Sequence, residues 1–505
     1  MTILEQLGRL RSSGGSRQTR GLPDAAIEQF AQTHDALNQA VIEALNLWAD
    51  LAEEYPDYVS LSESEQLARV QQGVVNFYAQ DAVNPYVSLA AKGPWVVTTK
   101  GAVIHDSGGY GMLGFGHNPD TLTSVLNRQQ VMANIMTGSF SQRRLLDALT
   151  AEIGHSRPNR QTPFNNFLFL NSGSESVTAA ARLSDVNAKI MTDPGGRHAG
   201  KPIKILSLKG GFHGRTDRPA QFSDSSSGAY TQHLASFRDR DNLITVEPNN
   251  VAALHQVFSD AKASGIFIES FFMEPVMGEG NPGQGISPQF YAAARQLTEE
   301  HGCLLLVDSI QAGLRAHGCL SIVDYPGFED LPAPDMETYS KALNAGQYPM
   351  SVLAMSPRAS DLYRAGIYGN TMTANPRALD IASTVLSQIT PELRKNIRAR
   401  GEEFLVKLQR LAERQPGRIT NVQGTGLLFS CEISADYKAY GANSLEEYLR
   451  RNGIGVIHGG ENSLRFTPHF GIDSDEIDLV VAAVGDALEN GPQRETPLAQ
   501  GTGGG

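Results

Sequence analysis

The stretch Leu304-Leu305-Leu306-Val307-Asp308-Ser309-Ile310-Gln311 decides the architecture of this chain. Four consecutive apolar residues, rather than an alternating pattern, suit a strand covered on both faces. The carboxylate at its end falls where open α/β sheets place their ligands. Similar short, bounded runs stand at residues 167–170, 203–208 and 266–268, with helical stretches between them. The alternation over residues 118–375 predicts a large α/β domain with a mostly parallel sheet.

The flanks read differently. Residues 1–21 are rich in Arg, Ser and Gly and are expected to form a mobile N-terminal arm. Over residues 22–75, Ile27, Phe30, Leu37, Val41, Ile42, Leu45 and Leu47 recur mostly at threes and fours, a helical spacing. Short strands with a turn at Lys100-Gly101 follow, so residues 22–117 are read as a helical and strand segment packing with a small domain. That small α+β domain is expected over residues 376–490, with a helical stretch over 378–411 and a last helix capped by Ser474. Residues 491–505 end in Gly-Thr-Gly-Gly-Gly and are expected to be a disordered tail.

Bulk composition excludes several classes. The 505 residues are 41% hydrophobic and 19% charged, with a formal net charge of −12, which argues against nucleic acid as the main partner. No apolar run approaches the roughly 20 residues that span a bilayer, and the first residues lack the order of a signal peptide. The three cysteines form no CxxC pair, so no disulfide scaffold or metal centre is expected. A cytoplasmic protein without membrane contact is the default expectation.

Gly109-Tyr110-Gly111-Met112-Leu113-Gly114 fits GxGxxG, but a dinucleotide site needs that loop to open directly into a helix. Phe115-Gly116-His117-Asn118-Pro119 follows instead, a turn that delays the next helix. These glycines are read as allowing close backbone packing.

Four segments carry chemistry. Asn171-Ser172-Gly173-Ser174-Glu175 precedes a good helix former; its free N–H groups suit an anion, although Ser172 or Ser174 would equally serve as a plain cap. Gly210-Gly211-Phe212-His213-Gly214-Arg215-Thr216 offers an aromatic and an imidazole to a planar group. Asp308 either caps the next helix or sits against a pyridine nitrogen, favouring the protonated ring. Lys341 is one lysine among many unless its surroundings depress its pKa and make the amine a nucleophile.

Read in order, NSGSESVTAAARL (from Asn171), GGFHGRT (from Gly210), EPVMGEG (from Glu274), LLLVDSIQAGLRAHG (from Leu304), PDMETYSK (from Pro334), GNTMTANP (from Gly369) and LRFTPHF (from Leu464) resemble the signature of the class III (ω-type) aminotransferases. The matches span residues 106–470 in the family's order. The resemblance implies a fold-type I architecture and pyridoxal 5'-phosphate (PLP) as cofactor. It implies that Lys341 is the Schiff-base lysine and Asp308 the partner of the pyridinium nitrogen. Ile310 would pack under the ring, Gln311 would bond its hydroxyl, and Phe212 would stack above it beside His213. Gly173 and Ser174 would bind the phosphate, with Thr371 reaching it from the neighbouring subunit of a homodimer. Arg465 would grip a substrate carboxylate, and Glu279 would pair with that arginine when no carboxylate is bound.

The implied reaction is ping-pong transfer from an amine or ω-amino acid to a keto acid, 2-oxoglutarate or pyruvate. Two departures stand out: Ser309 replaces the family's usual Glu, and Met277 its usual Gln. Ser309 keeps open a racemase, epimerase or aminomutase on the same scaffold. A PLP-binding protein without catalysis ranks lower, because Lys341, Asp308, Gln311 and Arg465 are all present.

Overall fold

The computed structural model describes residues 1–494. Its centre is a seven-stranded sheet ordered Asn166–Leu170, Ser351–Met355, Met336–Tyr339, Leu304–Asp308, Phe267–Met273, Ile203–Leu208 and Leu243–Val246. Ser351–Met355 runs antiparallel to both its neighbours, and all the other strands share one direction. The runs that lacked alternation are covered on both faces: every residue of Leu304–Asp308 and Phe267–Met273 is buried. Phe267–Met273 extends well beyond the short run at 266–268, because Glu269 and Ser270 interrupt its apolar pattern while remaining buried.

Two smaller sheets flank this core. One holds Ser88–Lys92, Trp95–Thr98 and Val103–Asp106, with Ile454–Gly455 added in parallel from the far end of the chain. The other is an antiparallel sheet of Ile419–Thr425, Leu428–Ile433, Ser463–Phe466 and Ile457–Gly459. The helix Pro391–Arg414 packs on it and against the last helix, Ser474–Asn490.

Several expectations are corrected. Residues 1–21 are not a free arm: Thr2 and Glu5 form a capping box on the helix Ile3–Arg11, whose Leu7 and Leu10 are fully buried. Arg20 and Gly21 then donate to Arg451 O, and Leu22 to Val103 O. Leucines at spacing three, inside an Arg- and Ser-rich segment, outweigh its composition. The stretch 378–411 is two helices, Pro376–Ser387 and Pro391–Arg414, because Thr390 caps a new helix with Pro391 in its first turn. The last helix is capped by Asp473 rather than Ser474, in a box closed by Glu476. Ile42 faces solvent, whereas Ala40, Val41 and Ala44 are buried. Of the tail expected over 491–505, residues 495–505 lie outside the described residues, while Arg494 bonds Asp436 O and Tyr437 O.

Candidate active site

The side chains singled out by sequence gather at the carboxyl ends of the parallel strands, the ligand edge of such a sheet. Asp308 ends Leu304–Asp308, and Lys341 lies just past Met336–Tyr339 with a left-handed φ of 47°. Phe212 and His213 follow Ile203–Leu208, Glu279 follows Phe267–Met273, and Gly173 opens a helix just after Asn166–Leu170.

Asp308 is 4% exposed and held from three directions. Its Oδ2 faces His213 Nδ1 at 2.8 Å, and Oδ1 accepts from Ile310 N and Thr338 Oγ1, each at 3.2 Å. His213 Nδ1 is the donor in this pair if its partner is a carboxylate, and the buried Nε2 has no hydrogen-bond partner among the described residues. Lys341 remains partly accessible. Burial of its amine, reinforced by Arg465 and opposed by Glu279, Asp308 and Glu274, lowers its pKa to about 8.

At the helix Gly173–Thr192, Ser172 is the cap and Glu175 closes a capping box. Glu175 N and Ser176 N bond back to Ser172, whereas the N–H groups of Gly173 and Ser174 have no partner among the described residues. Two donors at a helix start suit a phosphate. Glycine is needed where the aromatic loop meets this turn: a Cβ on Gly214, at φ 117°, would lie 2.4 Å from Ser174 Oγ. A Cβ on Gly173 would lie 2.7 Å from Ile310 Cδ1, so the turn and the aliphatic side chain share one close-packed floor.

Arg465, on Ser463–Phe466, is 6% exposed. Its Nη1 donates to Gly278 O and, at 3.1 Å, to Gln311 Oε1, and lies 3.4 Å from Glu279 Oε2. The other oxygen of Glu279 lies 3.7 Å from Arg215 Nη2. The Arg215 guanidinium in turn sits 5.0 Å from the centre of the Phe212 ring. Thr371 stands apart: it is exposed, on a loop that Asn370 ties to Glu175 Oε1 at 2.6 Å.

The two departures are absorbed in the core. Ser309 is fully buried, and its hydroxyl donates to Glu337 Oε1 at 2.5 Å. Glu337 also accepts from Ser321 Oγ and Ile322 N, and burial raises its pKa to about 7. Met277 is also fully buried, in a turn where it bonds Gln284 O through its N–H.

Reading the sequence missed four side chains that this geometry brings in. Arg215 and Glu274 stood inside quoted motifs. The buried Glu274 accepts from Phe212 N at 3.0 Å and Gly278 N at 2.9 Å, tying the aromatic loop to the loop that carries Glu279. Thr338 and Glu337 alternate on the strand before Lys341, one facing Asp308 and the other Ser309. That period of two was legible, but not which partners it would meet.

A strand-end carboxylate, a lysine of lowered pKa and a helix start with two free N–H groups suit a phosphorylated, ring-bearing group with an aldehyde. Residues 77–488 match the aminotransferase class-III family, and the chain belongs to that family. The family uses PLP, and the donors and floor described above fit its phosphate and ring. The ornithine aminotransferase of Toxoplasma gondii has a similar fold, at 23% identity and a TM-score of 0.71, over 87% of this chain and 98% of that one. A second structure of that enzyme, also with TM-score 0.71 and 23% identity, over 86% of this chain and 97% of that one, is described as having partial occupancy of PLP at its active site. The acetylornithine aminotransferase of Elizabethkingia anophelis is similar at 22% identity and a TM-score of 0.65, over 85% of this chain and 99% of that one. Among the described residues, no helix is long and apolar enough to cross a membrane.

Proposed function

We propose that this enzyme moves an amino group from an amine or ω-amino acid to a keto acid in two half-reactions at one site. The observation that carries the reading is Glu279 bridging two arginines, 3.4 Å from Arg465 and 3.7 Å from Arg215. A ping-pong enzyme must accept two unlike substrates in turn. An arginine masked by a movable carboxylate takes a keto acid's carboxylate when bared and tolerates an amine end when covered. Arg215 gives Glu279 a second place to rest while Arg465 is engaged.

PLP, when bound, supplies a protonated ring that draws electrons from the carbon bearing the amine. In this reading Gly173 and Ser174 hold its phosphate, Phe212 and Ile310 enclose its ring, and Gln311 faces the ring hydroxyl. Asp308 keeps the ring nitrogen protonated, with His213 and Thr338 fixing the orientation of that carboxylate. Lys341 would anchor the cofactor, and its free amine would take the proton from the nitrogen-bearing carbon and deliver it two atoms along, to the carbon across the nitrogen. Its pKa near 8 leaves a usable fraction of neutral amine at neutral pH.

The racemase and aminomutase alternatives rested on Ser309. That side chain bonds Glu337 inside the core, so Ser309 gives them no support. A homodimer with Thr371 reaching the partner's phosphate remains part of the proposal. Its support is a run of exposed apolar side chains, Val131, Met132, Ile135, Met136 and Phe140, within one short segment.

The test is a spectral half-reaction screen on purified enzyme, comparing the wild type with Glu279→Gln. Baring Arg465 is expected to lower KM for the keto acid and raise KM for the amine donor, each by about 5-fold or more, on the scale of a displaced charge-assisted hydrogen bond. Equal KM values in both proteins would remove the role given to Glu279. Exchange of the substrate's carbon-bound hydrogen with solvent, without any keto-acid requirement, would restore the racemase reading.

A further inference from the structure

Away from these residues, three histidines from separate parts of the chain converge on one buried carboxylate. Glu476, in the first turn of Ser474–Asn490, is 1% exposed. Its Oε1 lies 3.0 Å from His105 Nε2 and 3.0 Å from His469 Nε2. His34 Nε2 lies 3.9 Å from Oε2 and 3.2 Å from Asp473 Oδ2. His105 comes from Val103–Asp106, His34 caps the helix Asp35–Glu54, and His469 follows Ser463–Phe466.

A carboxylate this deep needs compensating positive charge. Among the described residues, every ion-pair partner of Glu476 is a histidine, and none is Lys or Arg. The carboxylate thus faces imidazoles rather than a fixed cation.

We propose that His105 Nε2, His469 Nε2 and Glu476 Oε1 form a structural site for a divalent transition metal of the zinc class. The three donor atoms all lie within 4.8 Å of one another. Bonds of about 2.0–2.1 Å in a tetrahedral zinc site put neighbouring ligand atoms about 3.3 Å apart, close to the 3.0 Å between each imidazole nitrogen and Glu476 Oε1. Imidazole with one carboxylate is a donor set that suits zinc, nickel or copper rather than calcium or magnesium. The outer shell is also built: His105 Nδ1 lies 3.0 Å from Ser107 Oγ, a partner that can hold the ring with Nε2 bare. Trp95 packs edge-on against both His105 and His34, with ring centres 5.1 and 5.7 Å apart, walling the site with apolar surface. Bound there, a metal cross-links the strand Val103–Asp106 to the last helix, Ser474–Asn490.

The experiment uses the cofactor-loaded full chain. The protein is incubated with Zn²⁺, passed into metal-free buffer, and its zinc measured by mass spectrometry, with melting followed before and after a chelator. The expected result is about one zinc per chain and a melting temperature about 3 °C or more higher with metal, as binding to the native state alone requires. Substitution by Co²⁺ should give visible ligand-field bands. His469→Gln keeps a hydrogen-bond donor toward Glu476 but removes the imidazole ligand, so it should fold, keep its cofactor absorbance and lose the zinc; His105→Gln is the second variant. No retained zinc in the wild type, or a zinc content in both Gln variants equal to that of the wild type, overturns the proposal and leaves a hydrogen-bonded histidine hub.

Discussion

His213 Nδ1 lies 2.8 Å from Asp308 Oδ2, inside a pocket where both side chains are buried. The pair sets a carboxyl group, the carrier of any negative charge there, at the end of a parallel strand and fixes its direction. On the proposed reading that charge keeps the cofactor's ring nitrogen protonated. Asp308→Asn keeps the shape and removes the charge. Its kcat should fall about 100-fold or more while phosphate-anchored PLP is still retained, the loss expected when a transition-state interaction is removed. His213→Gln should cost less, about 10-fold, because it disturbs only the orientation of Asp308. Steady-state kinetics beside cofactor absorbance decides; an Asn variant with wild-type kcat contradicts the assignment.

Lys341 has its amine pKa lowered to about 8 by burial and by Arg465. Only the neutral amine attacks an aldehyde. The rate at which cofactor-free enzyme takes up PLP should therefore rise about tenfold per pH unit below pH 8 and level off above it. Arg465→Ala removes a charge that lowers this pKa, so the rising limb should move to higher pH. Stopped-flow absorbance checks both. Lys341→Ala should lose turnover and the visible absorbance of the anchored cofactor together; unchanged turnover would sink the reading.

Glu337 is raised to about 7 by burial, despite its bonds to Ser309 and Ser321. Between its unfolded pKa, near 4.5, and about 7 the folded chain holds a proton that the unfolded chain has released. Stability from this group is thus present in full below the lower value and is lost as pH rises through the upper one. Glu337→Gln cannot ionise, so relative to the wild type it should gain about 1–3 kcal/mol between pH 4.5 and pH 8. Denaturant unfolding at the two pH values measures this; a constant difference between the proteins would show that Glu337 does not titrate in the fold.

Gly214 brings the aromatic loop against the phosphate-ready turn, and a Cβ there would sit 2.4 Å from Ser174 Oγ. Gly214→Ala should weaken PLP affinity about 10-fold or more, through lost anion contacts and strain at a φ of 117°. Gly228→Ala, whose Cβ would meet nothing within 4 Å, serves as the control. Cofactor titration separates them, and matching dissociation constants would remove the link between loop and turn.

Much was legible without coordinates. Unalternating runs such as the one before Asp308 announce a sheet buried on both faces, since apolar side chains on both sides of a strand require cover on both sides. The ordered motifs placed Lys341, Asp308, Phe212 and Arg465 in one family. Composition misled at residues 1–21, where the Arg and Ser content hid leucines that dock a helix. It also gave no sign of a metal-type cluster, because His34, His105 and His469 lie far apart along the chain.

What the sequence by itself determined is the type of each element and the identity of the chemical groups, because period and residue chemistry are local properties. Tertiary structure alone decided which groups meet. Burial depresses Lys341, Glu279 divides itself between two arginines, and Ser309 turns to Glu337 rather than to the cleft. These are consequences of long-range packing and desolvation, which no local pattern along the chain encodes.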